Sequence, residues 1–286
     1  MKWNGAQEYI VKKMKLSLSV RVAETASKKD ATHTFTQLTE LAAGLGYEAV
    51  CMRASQVGIH SPLEEITAAR KQAASLNLKV SMITGDFPVP LNNEQGPDGL
   101  RNITPYLDLT ELLGADLIRI AMKVEDDIAW AQRASDEAAE RGIRLAHQSH
   151  TQSLFETVEG SVDVLKRVGR KNFGIIYEPA NLDLCGQDYG VETLKRFSPY
   201  LVNVYLQNHI RRPKGKTRLL TWIQGEVPHD PIRLQDKGGI DFPSVFQGLE
   251  AIGYDGYVTV HQAFREIMEP EDAAEQSYTY LKPFCG

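Results

Sequence analysis

The chain has little of what would assign it quickly, and each absence removes a class. Its three cysteines stand at 51, 185 and 285, too few and too irregularly spaced for a disulfide framework or a zinc-type ligand pattern. Cys51 lies in an apolar strand-like run, where a free cysteine behaves as a small core residue. No stretch approaches the roughly eighteen unbroken apolar residues of a membrane-spanning helix. Neither sign of charge dominates: 32 basic and 37 acidic side chains leave a net charge of -5, which gives a nucleic acid no basic surface to follow. The opening MKWNGAQEYIVKKMK scatters its charges and lacks the apolar stretch of a secretory signal. The expectation is a cytoplasmic protein with no membrane or nucleic-acid partner. A glycine-rich phosphate turn is missing too. The first strand-like run is followed by AETASKKDATHT, without glycine, where a doubly wound dinucleotide-binding sheet would carry one.

What is present is a rhythm. Short runs rich in apolar and β-branched residues cover 16–23, 47–54, 78–85, 115–122, 143–150, 172–178, 201–208 and 256–262. Amphipathic stretches separate them, starting near Thr32, Ser61, Gly99, Glu125, Ser153, Tyr189, Asp241 and Glu269. Prolines stand at helix-start positions (Pro62, Pro243, Pro270). Gly46, Gly114, Gly142 and Gly169 are expected to end helices in the left-handed conformation. Eight strand–helix units read as right-handed βαβ crossovers on a parallel sheet. They predict an α/β fold, a closed (β/α)8 TIM barrel formed by residues 1–286 as one domain, a length that such barrels reach alone. The rhythm breaks once, over 210–240 after the seventh strand. A connection that long is expected to be a loop at the active-site face.

In a parallel barrel, chemistry collects at the C-terminal strand ends. Here those ends carry Gln148 and His150 on the fifth strand, Glu178 and then Asn181 on the sixth, Gln207, Asn208 and His209 on the seventh, and His261 on the eighth. Arg53 and Gln56 follow the second strand, and Asp86 the third. Residues two apart on a strand share a face, so Gln148 and His150 point together, as do Tyr205, Gln207 and His209. Glu178 stands in an otherwise apolar run, where a carboxylate must be paired or coordinated. Imidazole, carboxamide and carboxylate groups on one rim can hold a divalent cation.

Four segments carry a family resemblance across nearly the whole chain. RLAHQSH, IIYEPANL, LVNVYLQN and GYDGYVTVHQ resemble the fifth to eighth strands of the sugar phosphate isomerase/epimerase family. These are the xylose isomerase-like TIM barrels that include D-tagatose 3-epimerase, inosose dehydratase and endonuclease IV relatives. The family's metal is usually held by Glu, Asp, His and Glu. Carried over, these positions fall on Gln148, Glu178, Tyr205 (or Gln207 if the strand is shifted) and His261, with His150 matching the histidine after the first glutamate. Both glutamates of the epimerase acid/base pair are absent. The resemblance implies a small-molecule carbohydrate substrate and a divalent metal ion. With one carboxylate in the set, Mn, Zn, Fe, Co or Ni is expected over Mg. By analogy it also implies homo-oligomers.

The site residues expected from these readings are His150, His261 and Glu178 for catalysis, and Gln148, Glu178, Gln207 and His261 for metal. Arg53, Gln56, Asp86, Asn181, Asn208 and His209 are expected to contact substrate. The activity expected is that of an isomerase, an epimerase or a lyase that abstracts a proton next to a carbonyl and stabilises an enediolate. A non-catalytic sugar-binding barrel, or a subunit of a larger carbohydrate enzyme, is the alternative that the missing glutamates suggest. A DNA-repair nuclease would need a richer set of carboxylate and histidine ligands.

Overall fold

A computed structural model describes residues 13–286; the first twelve residues of the expected 1–286 domain lie outside the described residues. Eight parallel strands close into a barrel: β1 (Lys15–Ser19), β2 (Ala49–Met52), β3 (Lys79–Ile83), β4 (Leu117–Ile120), β5 (Arg144–Gln148), β6 (Phe173–Tyr177), β7 (Leu201–Leu206) and, as the eighth stave, β11 (Tyr257–Val260). The eight expected strands are all present, each shorter than its apolar run. Val20–Ala23, for example, forms a 3-10 turn rather than the end of β1. Among the described residues no helix is long and apolar enough to cross a membrane.

Helices α1 (Phe35–Leu45), α2 (Leu63–Ser75), α3 (Pro88–Leu91), α4 (Asp98–Arg101), α5 (Thr104–Leu113), α6 (Asp127–Glu140), α7 (Val158–Val168), α8 (Pro179–Leu184), α9 (Val191–Phe197), α10 (Phe242–Ala251) and α11 (Pro270–Cys285) surround the staves. Helix α1 starts three residues past Thr32, because Thr34 and Gln37 form a reciprocal capping box there. The four glycines expected to end helices all have positive φ. Helix α8 was not foreseen. Pro179 sits in its first turn, and Pro cannot pair in a central strand but is preorganised to begin a helix.

Two cores result. The larger lies between staves and helices and contains Leu107, Leu145, Val168, Leu194, Phe242 and Leu281 among others. The smaller is a plug inside the barrel, made of Cys51, Met82, Leu117, Ala146, Ile176 and Tyr205. Parallel registers bring Ser17, Thr259 and Tyr205 side by side. Residues two further along each strand also face inward, and on every stave that residue is polar: Ser19, Arg53, Thr84, Arg119, Gln148, Glu178, Gln207 and His261. The plug therefore carries a polar roof at the C-terminal face, with Arg53, Glu178 and His261 fully buried.

The 210–240 excursion is not a structureless loop. It folds as an antiparallel sheet of β8 (His209–Arg211), β9 (Thr217–Thr221) and β10 (Gly225–Pro231), in the order β8-β10-β9. Asn208 fastens its return. The Asn208 amide donates to the carbonyls of Arg233 (2.9 Å), Leu234 (3.2 Å) and Asp236 (3.3 Å), while Oδ1 accepts from the backbone of His209 (3.0 Å) and Ile240 (2.8 Å). A Cβ on Gly239 would sit 2.1 Å from that oxygen, so only glycine fits there. Both polar atoms of this amide are used in the fold, and Asn208 also lines the cavity at this end of the barrel. Asn208→Ala leaves several backbone groups unpaired, and a loss of about 2–4 kcal/mol of unfolding free energy is expected. Urea unfolding measures it, and hydrogen exchange should rise over 232–240.

Candidate functional site

A cavity of about 380 Å³ opens on the C-terminal face. Its walls include Arg21, Glu24, Lys28, Arg119, His150, Asn181, Gln207 and His209, with Thr217, Leu219, His229 and Pro231 contributed by the added sheet. Glu178, Arg53, Gln148 and His261 belong to the roof layer just beneath.

Glu178 ends β6 and precedes α8. Asn181, one turn into α8, donates to Glu178 Oε2 (3.1 Å) and to the Ser149 carbonyl (2.9 Å), and the Gln207 amide nitrogen donates to Oε1. Two neutral amides that line the cavity thus hold one buried carboxyl by both oxygens. Burial is the largest influence on it and raises its pKa from the ordinary 4.5 to about 7, against the opposing pull of Arg21, the Gln207 bond and Arg119.

His261 is sealed rather than presented. Its ring stacks on Tyr205 with centroids 3.6 Å apart. Nδ1 lies 3.1 Å from Ser19 Oγ, and Nε2 lies 3.4 Å from the Arg53 guanidinium. Because a guanidinium can only donate, Nε2 spends its lone pair on Arg53 and Nδ1 carries the proton. Desolvation, then the charges of Arg21, Arg53 and Arg119, hold this imidazole neutral well below its usual range. His150 lines the cavity, with Nδ1 2.9 Å from the Thr151 carbonyl. Nε2 is then its acceptor, and burial followed by Arg119 keeps it neutral as well.

The remaining expected contacts divide. Asn181 and His209 line the cavity, and His209 Nε2 is held by Asp183 at 2.8 Å. Arg53 is fully buried and donates through Nε to Glu24 (2.7 Å), below the cavity surface. Gln56 turns away to the His33 carbonyl (2.8 Å), and Asp86 accepts from Tyr106. Neither is a wall of the cavity.

The four residues expected to hold a metal do not compose a donor set. Gln207 directs its NH2 group at Glu178, the His261 lone pair is engaged by Arg53, and Gln148 adds a single neutral oxygen without a partner. Among the described residues no cluster of three or more His, Cys, Asp or Glu side chains is disposed to bind a metal ion. Arg21, Arg53 and Arg119 bring fixed positive charge to the same roof, which opposes a further cation.

Arg21, Arg119, Glu24 and Lys28 were not singled out from the sequence. Arg119 was accessible there, since it interrupts LIRI as Glu178 interrupts IIYE. It is only 5% exposed. Among the described residues, eight of the ten buried polar side-chain atoms without a partner belong to residues at this end of the barrel: Arg21, Glu24, Arg53, Thr84, Asp86, Arg119, Gln148 and Thr151. Native structures keep such atoms rare, and a cluster of them is the polar lining that a bound ligand or ordered water satisfies.

Known proteins resemble this chain in sequence and in fold. An inosose dehydratase from Geobacillus thermodenitrificans (strain NG80-2) is 25% identical over 157 residues, 54% of this chain and 52% of that protein. The aligned part thus spans about half the length of that relative. A xylose isomerase domain protein from Planctomyces limnophilus superposes with a TM-score of 0.72 at 16% identity, covering 95% of this chain and 96% of the other. A probable 3-DHS dehydratase involved in petrobactin synthesis in Bacillus anthracis gives 0.71 at 15% identity, covering 94% and 99%. The family model of xylose isomerase-like TIM barrels matches residues 39–284, and with the closed barrel described above the chain belongs to that family.

Proposed function

We propose that this single-domain barrel is a carbohydrate-modifying enzyme that removes a proton next to a carbonyl, as an isomerase, an epimerase or a lyase, with the lyase reading preferred. The observation that carries the proposal is the Glu178 carboxyl, oriented at both oxygens by Asn181 and Gln207 directly under the cavity. Among the described residues no other carboxyl is held at both oxygens by side-chain amides. A two-carboxylate epimerisation has no second partner here, since Gln148 cannot exchange protons, whereas elimination needs one base. The dehydratase names of two relatives agree with that preference.

In this reading the ionised Glu178 takes the proton from the carbon beside the carbonyl, and the electron pair moves onto the carbonyl oxygen. The enediolate then collapses and expels the β-hydroxyl. Protonated Glu178 returns its proton to that hydroxyl, so water leaves and the base is regenerated. His150, neutral with Nε2 as acceptor, positions a substrate hydroxyl. His261 is a positioning residue that orients Arg53. No step is routed through a metal ion, because the donor set does not fit one.

Glu178→Gln should lower turnover by roughly 10²-fold or more, read as deuterium exchange from solvent and as product release over a panel of keto-sugars. Full activity in that variant removes Glu178 from the mechanism. The base must be ionised, so kcat/KM should rise with pH and level off above about 7. Stability runs the other way. A carboxyl whose pKa is raised on folding contributes stability below its unfolded value, and that contribution disappears as pH rises through about 7. Glu178→Gln should therefore unfold at a higher temperature than the wild type at pH 8, and the difference should vanish at pH 4.

A further inference from the structure

The roof contains more positive charge than it pairs. Arg53 is matched by Glu24, with Nε 2.7 Å from the carboxylate. Arg21 and Arg119 have no such partner. Both line the cavity, both keep a buried Nε without a hydrogen bond, and no ion pair to either is found among the described residues. Glu178, the nearest candidate, takes its hydrogen bonds from neutral amides instead. Lys28 adds a third basic group at the wall, its amine held 3.0 Å from the Pro90 carbonyl and drawn down to about 7 by burial and the neighbouring guanidiniums. The other carboxylate on the wall, Glu266, stands at the rim beside Arg265 (3.6 Å). With Glu24 assigned to Arg53, and Glu266 to Arg265, the cavity holds the buried Arg119 and the half-buried Arg21, with Lys28 beside them, against Glu178 alone.

Cations taken out of water without counter-charge are strongly unfavourable. A guanidinium keeps its proton under any physiological condition and offers several fixed N–H donors. We infer that Arg21 and Arg119 form a built-in anion site at the floor of this cavity, filling the electrophile's place with protein charge, and that the substrate is an acidic sugar derivative bearing a carboxylate or a phosphate. The inference rests on the reaction reading above for the position of the reacting carbon, but its test does not. Guanidiniums match such oxyanions in bidentate geometry. A neutral sugar would leave both uncompensated.

The test is calorimetric binding to the full chain after treatment with a chelator. The probes are D-gluconate and D-glucose 6-phosphate, with neutral D-glucose and D-fructose as counterparts. At least one charged probe should bind about tenfold or more tightly than the neutral sugars, and its affinity should fall as salt is raised. Gluconate alone binding identifies a carboxylate group, and the phosphate ester alone a phosphoryl group; both binding supports a general oxyanion site. Arg119→Gln and Arg21→Gln should each weaken that binding at least about tenfold, and Arg119→Lys should restore part of it. Should Arg119→Gln fail to fold, Arg21→Gln at the cavity wall carries the same test. Equal affinity for charged and neutral probes, wild-type affinity in Arg21→Gln, or binding that disappears with the chelator and returns with Mn²⁺ would overturn the inference. Binding and proton exchange separate the two readings. Charged probes that bind to a protein inert toward every keto-sugar sink the reaction reading alone, and neutral sugars turned over without anion binding sink this one alone.

Discussion

Desolvation of charge at the top of an apolar plug governs this molecule. Six side chains close the barrel interior, and the strand period places a polar residue immediately above each of them. Everything chemical about the site follows from that second layer being out of water. It raises the Glu178 carboxyl, lowers the imidazoles of His150 and His261, and draws even Arg21 down to about 10. The direction differs from group to group because burial always disfavours the charged form.

The same layer explains why a family likeness and a changed site coexist. The barrel needs alternation, closure and a plug, none of which specifies what stands in the roof. By the resemblance, Gln148 and His261 stand where the family carries acidic ligands, so the roof has less negative charge, and the guanidiniums of Arg21, Arg53 and Arg119 bring positive charge to the same layer.

The alternation of strands and helices was legible because apolar periodicity and proline or glycine punctuation are local properties of the chain. The staves came out shorter than their apolar runs, since burial continues past the last ladder hydrogen bond into turns such as Val20–Ala23. The sheet at 209–231 was not legible. Its strands, TRLLT and GEVPHDP, carry charge and proline, and they pair with each other rather than with the barrel. At the site, Glu178 was readable as a charge in an apolar run, and the same logic applied to Arg119 would have found the cation opposite. His261 was placed correctly on the roof, but its burial beneath Arg53 depends on side chains from three different staves. No single segment contains that information. The structural work of Asn208 was hidden for a related reason, since an amide at a strand end looks the same whether or not it also ties down five backbone groups of its own chain.

The added sheet is tied to the barrel by side chains from several elements, among them Asp183, which holds His209 and Arg211, and Gln262, which donates to the Ile232 carbonyl (2.7 Å). Asn208 secures its base, and Glu156 accepts from the Ile223 backbone (2.9 Å) near its tip, while Thr217, Leu219, His229 and Pro231 form one side of the cavity. One flank of the chamber is thereby built from a sheet whose strands pair with one another and not with the staves. The outline of the cavity and the closure of the cylinder are thus drawn by two different ladders of the same polypeptide.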